Sequence, residues 1–239
     1  MNNKNFCMSS YLAFRYIERE GMDFYEGLHH ENIPLPNPEQ FTYVHTAEDI
    51  DKAIQKVFDS FKGEKLGICL SGGMDSAILA SYMRGCDAYT FRFLGGEYQK
   101  EELARAEYYA KYYGLNLHYV DIDWNTVEQY LPIVMRSKNA PVHSIEPQLY
   151  QAAMQAKEDG VTHLIIGDCS DVLFGGLDQL LSRDWTFIDF QKRYTFLDPI
   201  LVLKNPIDMS YLFEPYKQGE NIDFQRFLLD IYDIESSSS

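Results

Sequence analysis

Four short apolar runs recur through the middle of the chain, and stretches with apolar residues at helical spacing separate them. Leu66-Gly67-Ile68-Cys69-Leu70, Ala88-Tyr89-Thr90-Phe91-Arg92-Phe93, Leu117-His118-Tyr119-Val120-Asp121-Ile122 and Thr162-His163-Leu164-Ile165-Ile166 have the length and composition of strands. A helix is predicted before the first of them. Thr46 is its cap, Asp49 lies three residues on, Ile50, Ile54, Val57, Phe58 and Phe61 share one face, and Gly63 ends it. Further helices are expected from about Asp75 to Arg84, from Lys100 to Tyr113, from Asn125 to Arg136 and from Gln148 to Lys157. Gly85, Gly114 and Gly160 mark three of their ends. Strands alternating with helices at this spacing predict an α/β fold, a doubly wound parallel sheet covered on both faces. Ligands on such sheets sit at the carboxyl ends of strands.

The flanks carry less pattern. Ser10 to Ile17 reads as a strand, and Pro34, Pro36 and Pro38 make an irregular link that cannot be helical inside. An amphipathic helix is expected near the end, with Phe224, Phe227, Leu228 and Ile231 inward and the acids of Asp223 to Glu235 solvated. The predicted organisation is an N-terminal arm over 1–45 and one domain over 46–239. At 239 residues such a domain has ample core. The net charge of −15 disfavours a nucleic-acid partner, because phosphate contacts need basic surface. Cys7, Cys69, Cys86 and Cys169 are scattered with no Cys-x-x-Cys, which removes a zinc or persulfide pair. No run is long enough to span a membrane and no signal peptide precedes residue 20, so a cytoplasmic enzyme is expected.

The chemistry concentrates in the turn after the first strand, Ser71-Gly72-Gly73-Met74-Asp75-Ser76. Glycines let backbone take positive φ and approach a ligand, and a helix beginning near Asp75 aims free N–H groups at an anion. Ser71 and Ser76 add hydroxyl donors. Phosphate or pyrophosphate is the fitting guest, and Asp75 suits it only with a divalent cation such as Mg²⁺ between the two. The loop after the fourth strand, Gly167-Asp168-Cys169-Ser170-Asp171-Val172-Leu173-Phe174-Gly175-Gly176, places two acids three apart on a glycine-rich turn. It offers a second metal carboxylate and a polar substrate contact, although acidic turns after strands are common.

Ser-Gly-Gly-x-Asp-Ser after a strand resembles the pyrophosphate-binding loop of the ATP pyrophosphatases, the adenine nucleotide α-hydrolase-like superfamily. Gly-acid-x-x-Asp-x-Leu-Phe-Gly-Gly at 167–176 resembles the synthetase domain of asparagine synthetase and its β-lactam synthetase relatives. Arg193-Tyr194-Thr195-Phe196-Leu197-Asp198 is similar to that family's Arg-x-Pro-Phe-Leu-Asp, so the resemblance runs from about residue 46 to 200. It implies that Leu70, Ser71, Gly72, Gly73, Asp75 and Ser76 hold the ATP phosphates, with Asp75 on magnesium. It implies that Phe93 and Ile166-Gly167 flank the adenine through backbone groups and that Asp171 is the second magnesium carboxylate. Asp168 stands where the family has a glutamate that contacts the acyl-adenylate.

The resemblance thus implies a ligase that adenylates a small-molecule carboxylate with Mg-ATP and passes the acyl group to ammonia or an amine. Departures surround the substrate rather than the nucleotide. Asp168 is one methylene shorter than the family's glutamate, Cys169 replaces a glycine, Val172 replaces a glutamate, and Gln191 stands where a glutamate precedes Arg193 by two. About 45 residues precede the match and begin Met-Asn-Asn-Lys, so a glutaminase domain is not expected ahead of it. Nitrogen is therefore expected as free ammonia, from a separate glutaminase subunit, or as an amine on the substrate. The family's late lysine falls beyond Phe-Leu-Asp. Lys204 is the candidate for that catalytic role, with Lys217 beside it, and neither is clearly equivalent.

His143, Ser144, Glu146 and Gln148 lie before the last helix of the sheet, as substrate contacts or as a capped loop. His118 and His163 read as strand residues, and Tyr108, Tyr109, Tyr112 and Tyr113 as packing. Three rivals stand beside the ligase. A thiolating enzyme would want the cysteine pair and a basic surface. An ammonia-dependent synthetase of the NAD or GMP kind would leave Leu173–Gly176 and Phe196–Asp198 unexplained. A non-catalytic or partner-dependent ATP-binding subunit would fit the altered substrate positions. The sequence leaves the oligomeric state open, a homo-oligomer included.

Overall fold

The structure, a computed structural model, describes residues 3–24, 26, 42–95, 99–168, 170 and 183–232, without the side chains of 231 and 232. The chain divides into two compact units. One takes Glu31–Val134 and Ser144–Gly176, and the other takes Met1–His30, Met135–His143 and Leu177–Ser239.

The first unit is the sheet. Strands β1 (Leu66–Cys69), β2 (Asp87–Phe93), β3 (Asn116–Ile122) and β4 (His163–Ile165) pair in the order β3-β2-β1-β4. Every pairing is parallel, with Ile68 opposite Ala88 on one side and Ile165 on the other. Parallel neighbours need crossovers, and the intervening helices supply them. These are α3 (Met74–Ala80), α4 (Lys100–Tyr113), α5 (Trp124–Lys138) and α6 (Ile145–Glu158), after an earlier α2 (Ala47–Ser60). Successive strand residues face opposite ways, and two cores result. Ile68, Leu70 and Ala88 pack with Ala80 of α3 and Ala106 and Ala110 of α4. Cys69, Tyr89, Val120 and Ile122 pack with Ala152 and Ala156 of α6. The small side chains let each helix lie close to the sheet. The fold is therefore the doubly wound α/β sheet that the alternation predicts.

Local signals hold these elements where the sequence puts them. Thr46 accepts from the Asp49 N–H at 3.1 Å while Asp49 accepts from the Thr46 N–H at 3.0 Å, a complete capping box on α2. Gly114, at φ +69°, ends α4 in the left-handed conformation. At the amino-terminal edge of the sheet Asp87, 8% exposed, bonds His118 Nε2 at 3.0 Å and pairs with Lys65 Nζ at 3.1 Å.

The second unit, described by itself, contains α1 (Asn3–Phe14), α7 (Phe187–Tyr194), a two-stranded antiparallel pair β5 (Lys217–Gln218) and β6 (Asn221–Ile222), and α8 (Phe224–Tyr232). Its core is aromatic. Phe190 is wholly buried and meets Phe227 edge-on with ring centroids 4.8 Å apart, beside Trp185, Phe213 and Tyr216. Phe227 and Leu228 of α8 face inward as expected.

Residues 10–17, which read as a strand, belong instead to α1 and the turn that ends it. The misleading feature is the pair Ser9-Ser10, which breaks the helical period of the apolar residues. Both serines are fully buried and bonded to distant or following backbone: Ser9 Oγ accepts from the Ile207 N–H at 2.9 Å, and Ser10 Oγ donates to Tyr16 O at 2.9 Å. Its inward face carries these serines beside Phe6 and Cys7 while apolar Met8 is exposed one turn from Lys4, so polarity along α1 does not follow burial and sets no period.

Candidate active site

β1 delivers the chain into Ser71 with Leu70 buried, its N–H donating to Tyr89 O at 2.8 Å. Gly72 then takes φ +78°, open to glycine and strained for other residues. A Cβ there would lie 2.5 Å from the Glu102 carbonyl oxygen and 3.1 Å from the Ala106 nitrogen, so the turn needs glycine for space as well. The loop is tied across itself. Ser76 Oγ donates to Gly73 O at 3.2 Å, which makes Ser71 the donor in the 3.1 Å contact between their hydroxyls. Ser71 Oγ also accepts from the Gly73 N–H at 3.2 Å. From α4, Arg105 Nε donates to Gly72 O at 3.1 Å and braces the turn from outside. No side chain caps α3, and exposed Asp75 sits in its first turn.

The end of β4 lies against this loop. A Cβ on Gly167 would stand 3.1 Å from the Ser76 nitrogen, so a side chain there would crowd the two turns apart by a few tenths of an ångström. Ile166, Gly167 and Asp168 line a cavity of about 190 Å³ with Cys69, Leu70, Ser71, Ser76 and Tyr89. Burial pushes the Cys69 thiol up to about 12, which leaves it a packing residue rather than a nucleophile.

The sequence-predicted residues thus fall into four groups. Leu70, Ser71, Gly72, Gly73, Asp75, Ser76, Ile166, Gly167 and Asp168 come together where β1 and β4 end. Phe93 lines a neighbouring cavity of about 220 Å³, which shares Ser71, Phe91 and Ile145 with the first. Asp171, with Cys169 and the Leu173–Gly176 stretch, lies outside the described residues. Among the described residues no three His, Cys, Asp or Glu side chains cluster as a metal site. Lys204 and Lys217 belong to the second unit. There too lies the Phe-Leu-Asp motif, with a local structural use. The Phe196 and Leu197 N–H groups donate to Ala13 O and Leu12 O at 2.8 and 3.1 Å, and Asp198 Oδ1 accepts from the Ile200 N–H at 3.0 Å.

Two glutamines complete the second cavity. Gln99 and Gln148 are each only 9% exposed, and both line it with Thr90, Phe91, Phe93 and Leu103. Gln99 Oε1 accepts from the Phe93 N–H at 2.8 Å, so that backbone donor is already engaged. Gln148 Nε2 donates to Ser144 O at 3.1 Å, one helical turn back. Gln99 carried no sequence signal, since a polar residue before a helix is unremarkable.

Comparison with known proteins identifies the family of the chain. The family model for asparagine synthase matches residues 47–222. A Methanocaldococcus jannaschii protein assigned as a glutamine-hydrolyzing asparagine synthetase is 26% identical over 166 residues, 67% of this chain and 30% of that protein. The chain therefore spans under a third of this curated relative. Among solved structures, NMN synthetase from Francisella tularensis aligns over 60% of this chain and 89% of its own, at 13% identity and TM-score 0.31. With a family match covering most of its length, the two-loop sheet described above is that of a member of the asparagine synthase family.

Proposed function

We propose that this chain is an ATP-dependent carbon–nitrogen ligase that activates a substrate carboxylate as its adenylate and transfers the acyl group to ammonia or an amine. The observation that supports it most is the cross-tied loop Ser71–Ser76 meeting the β4 turn at Gly167, beside two adjoining cavities at the carboxyl ends of the strands. ATP would lie with its phosphates on the loop. A carboxylate oxygen attacks the α-phosphorus, the α–β bridging bond breaks, and pyrophosphate leaves. The amine nitrogen then attacks the acyl carbon, AMP departs, and the nitrogen loses its extra proton. Magnesium, when bound, neutralises charge on the departing pyrophosphate.

The chain's own residues orient these steps. Gly72 and Gly73 keep side chains off the phosphates, and Arg105 fixes the Gly72 carbonyl away from them. Asp75 is a hard oxygen donor at the loop and suits magnesium, with Asp171 as the second carboxylate of this reading. Asp168 would contact the activated acyl group. The deciding experiment is AMP and pyrophosphate release from Mg-ATP with ammonia, across a panel of amino acids and other carboxylates. Release dependent on one carboxylate is expected. Tight ATP binding with no turnover on any of them would favour an ATP-binding subunit instead.

A further inference from the structure

The Gly72 carbonyl and the Gly73 N–H belong to one planar trans peptide group, so they point in opposite directions. The carbonyl accepts from Arg105 Nε at 3.1 Å, and the N–H donates to Ser71 Oγ at 3.2 Å. Ser71 lines both cavities at the carboxyl ends of the strands. This peptide therefore turns its N–H to the ligand side and its carbonyl to α4. Glycine stands on each side of it, and no Cβ resists rotation of the peptide plane. A turned-over peptide would aim a carbonyl oxygen, not an N–H, at the phosphates. Ser71 cannot be the lasting restraint, because its hydroxyl is one of the donors the phosphates would engage. Arg105 holds the other end of the peptide, where Gly72 is buried against Glu102, Arg105 and Ala106 of α4. Its guanidinium forms no ion pair among the described residues, although Glu101 and Glu102 share its helix. The charge is left to act on the Gly72 carbonyl, and a charge-assisted bond is about twice as strong as a neutral one.

We propose that Arg105 is a positioning residue for the phosphate loop. It locks the Gly72–Gly73 peptide with the N–H toward the phosphates that leave as pyrophosphate, and its charge polarises that N–H as a donor. The inference rests on the ligase reading above. It adds to that reading a residue 33 positions from the loop, on another helix, that acts on the pyrophosphate half of the nucleotide alone.

The test is calorimetric binding of Mg-pyrophosphate, Mg-ATP and AMP to the full chain and to two variants. Arg105→Met keeps the packed stem and removes the donors, and Arg105→Lys keeps a cationic donor. Arg105→Met is expected to bind Mg-pyrophosphate and Mg-ATP roughly tenfold to a hundredfold more weakly than the wild type, the usual effect of losing a charge-assisted bond. AMP, which lacks the pyrophosphate half, should bind it within about twofold of the wild type, and Arg105→Lys should recover most of the loss. In turnover, Arg105→Met should lower kcat by about tenfold or more and leave KM for the carboxylate within about twofold, since the preorganised donor acts on the leaving group. Undiminished binding of Mg-pyrophosphate to Arg105→Met overturns the Arg105 assignment alone. An equal loss of AMP binding does so too, because a general collapse of the site would produce it. Should Arg105→Met fail to fold, Arg105→Gln is read by the same two criteria. A wild type that binds neither Mg-pyrophosphate nor Mg-ATP overturns the ligase reading together with this one.

Discussion

Gly72 illustrates how much rests on single residues of the loop. Its positive φ and the 2.5 Å approach a Cβ would make to the Glu102 carbonyl allow no other side chain without movement of α4 or of the turn. Gly72→Ala is expected to cost about 1–3 kcal/mol in urea unfolding, from strained backbone, and to weaken ATP binding in calorimetry. Asp75 is a different case, since it is exposed and bears no packing. Asp75→Asn should leave the thermal melt unchanged and lower pyrophosphate release by roughly a hundredfold or more, through loss of charge at the phosphates. Retained release in that variant would remove Asp75 from the site. The glycines and serines of this loop were legible as a tight, cross-tied turn from residue type alone, because backbone conformation and local donors make it. Gln99 and Gln148 were not legible as a pair, because 49 positions separate them and only the packing of α4 and α6 about β2 brings them to one cavity.

At the scale of elements, the capping box is what begins α2, which has no fully buried residue to anchor it. Thr46→Ala should therefore destabilise by about 1 kcal/mol, read as faster hydrogen exchange in the first turns of α2, with little effect on the sheet. The helices whose ends carry glycine or a box were predicted within a few residues, Lys100–Tyr113 among them. α1 was not, since its stability comes from tertiary partners such as the Ile207 N–H on Ser9 rather than from a repeating apolar face.

The sheet as a whole carries a buried carboxylate at its amino-terminal edge, on the opposite side from the loops. Burial would raise the Asp87 carboxyl, but hydrogen bonds from His118 and Lys65 outweigh it and hold the group below the ordinary carboxylate range. A carboxyl with a depressed folded pKa adds stability above its unfolded value, about 3.9, and loses it as pH falls through the folded one. Asp87→Asn should accordingly destabilise by about 1–3 kcal/mol at pH 6 and converge with the wild type in acid, followed by urea unfolding from pH 6 downward. No helix among the described residues is long and apolar enough to cross a membrane. By itself, the sequence determined the alternation of strands and helices, the parallel sheet and the Ser71–Ser76 turn, because apolar period and glycine act over a few neighbouring residues. Only the tertiary structure decided that α1 is a helix, that Gly167 abuts Ser76, and that Gln99 and Gln148 line one cavity with Phe93, whose N–H Gln99 holds. Those contacts join residues far apart in the chain, and burial, not local propensity, fixes which of their polar groups find a partner.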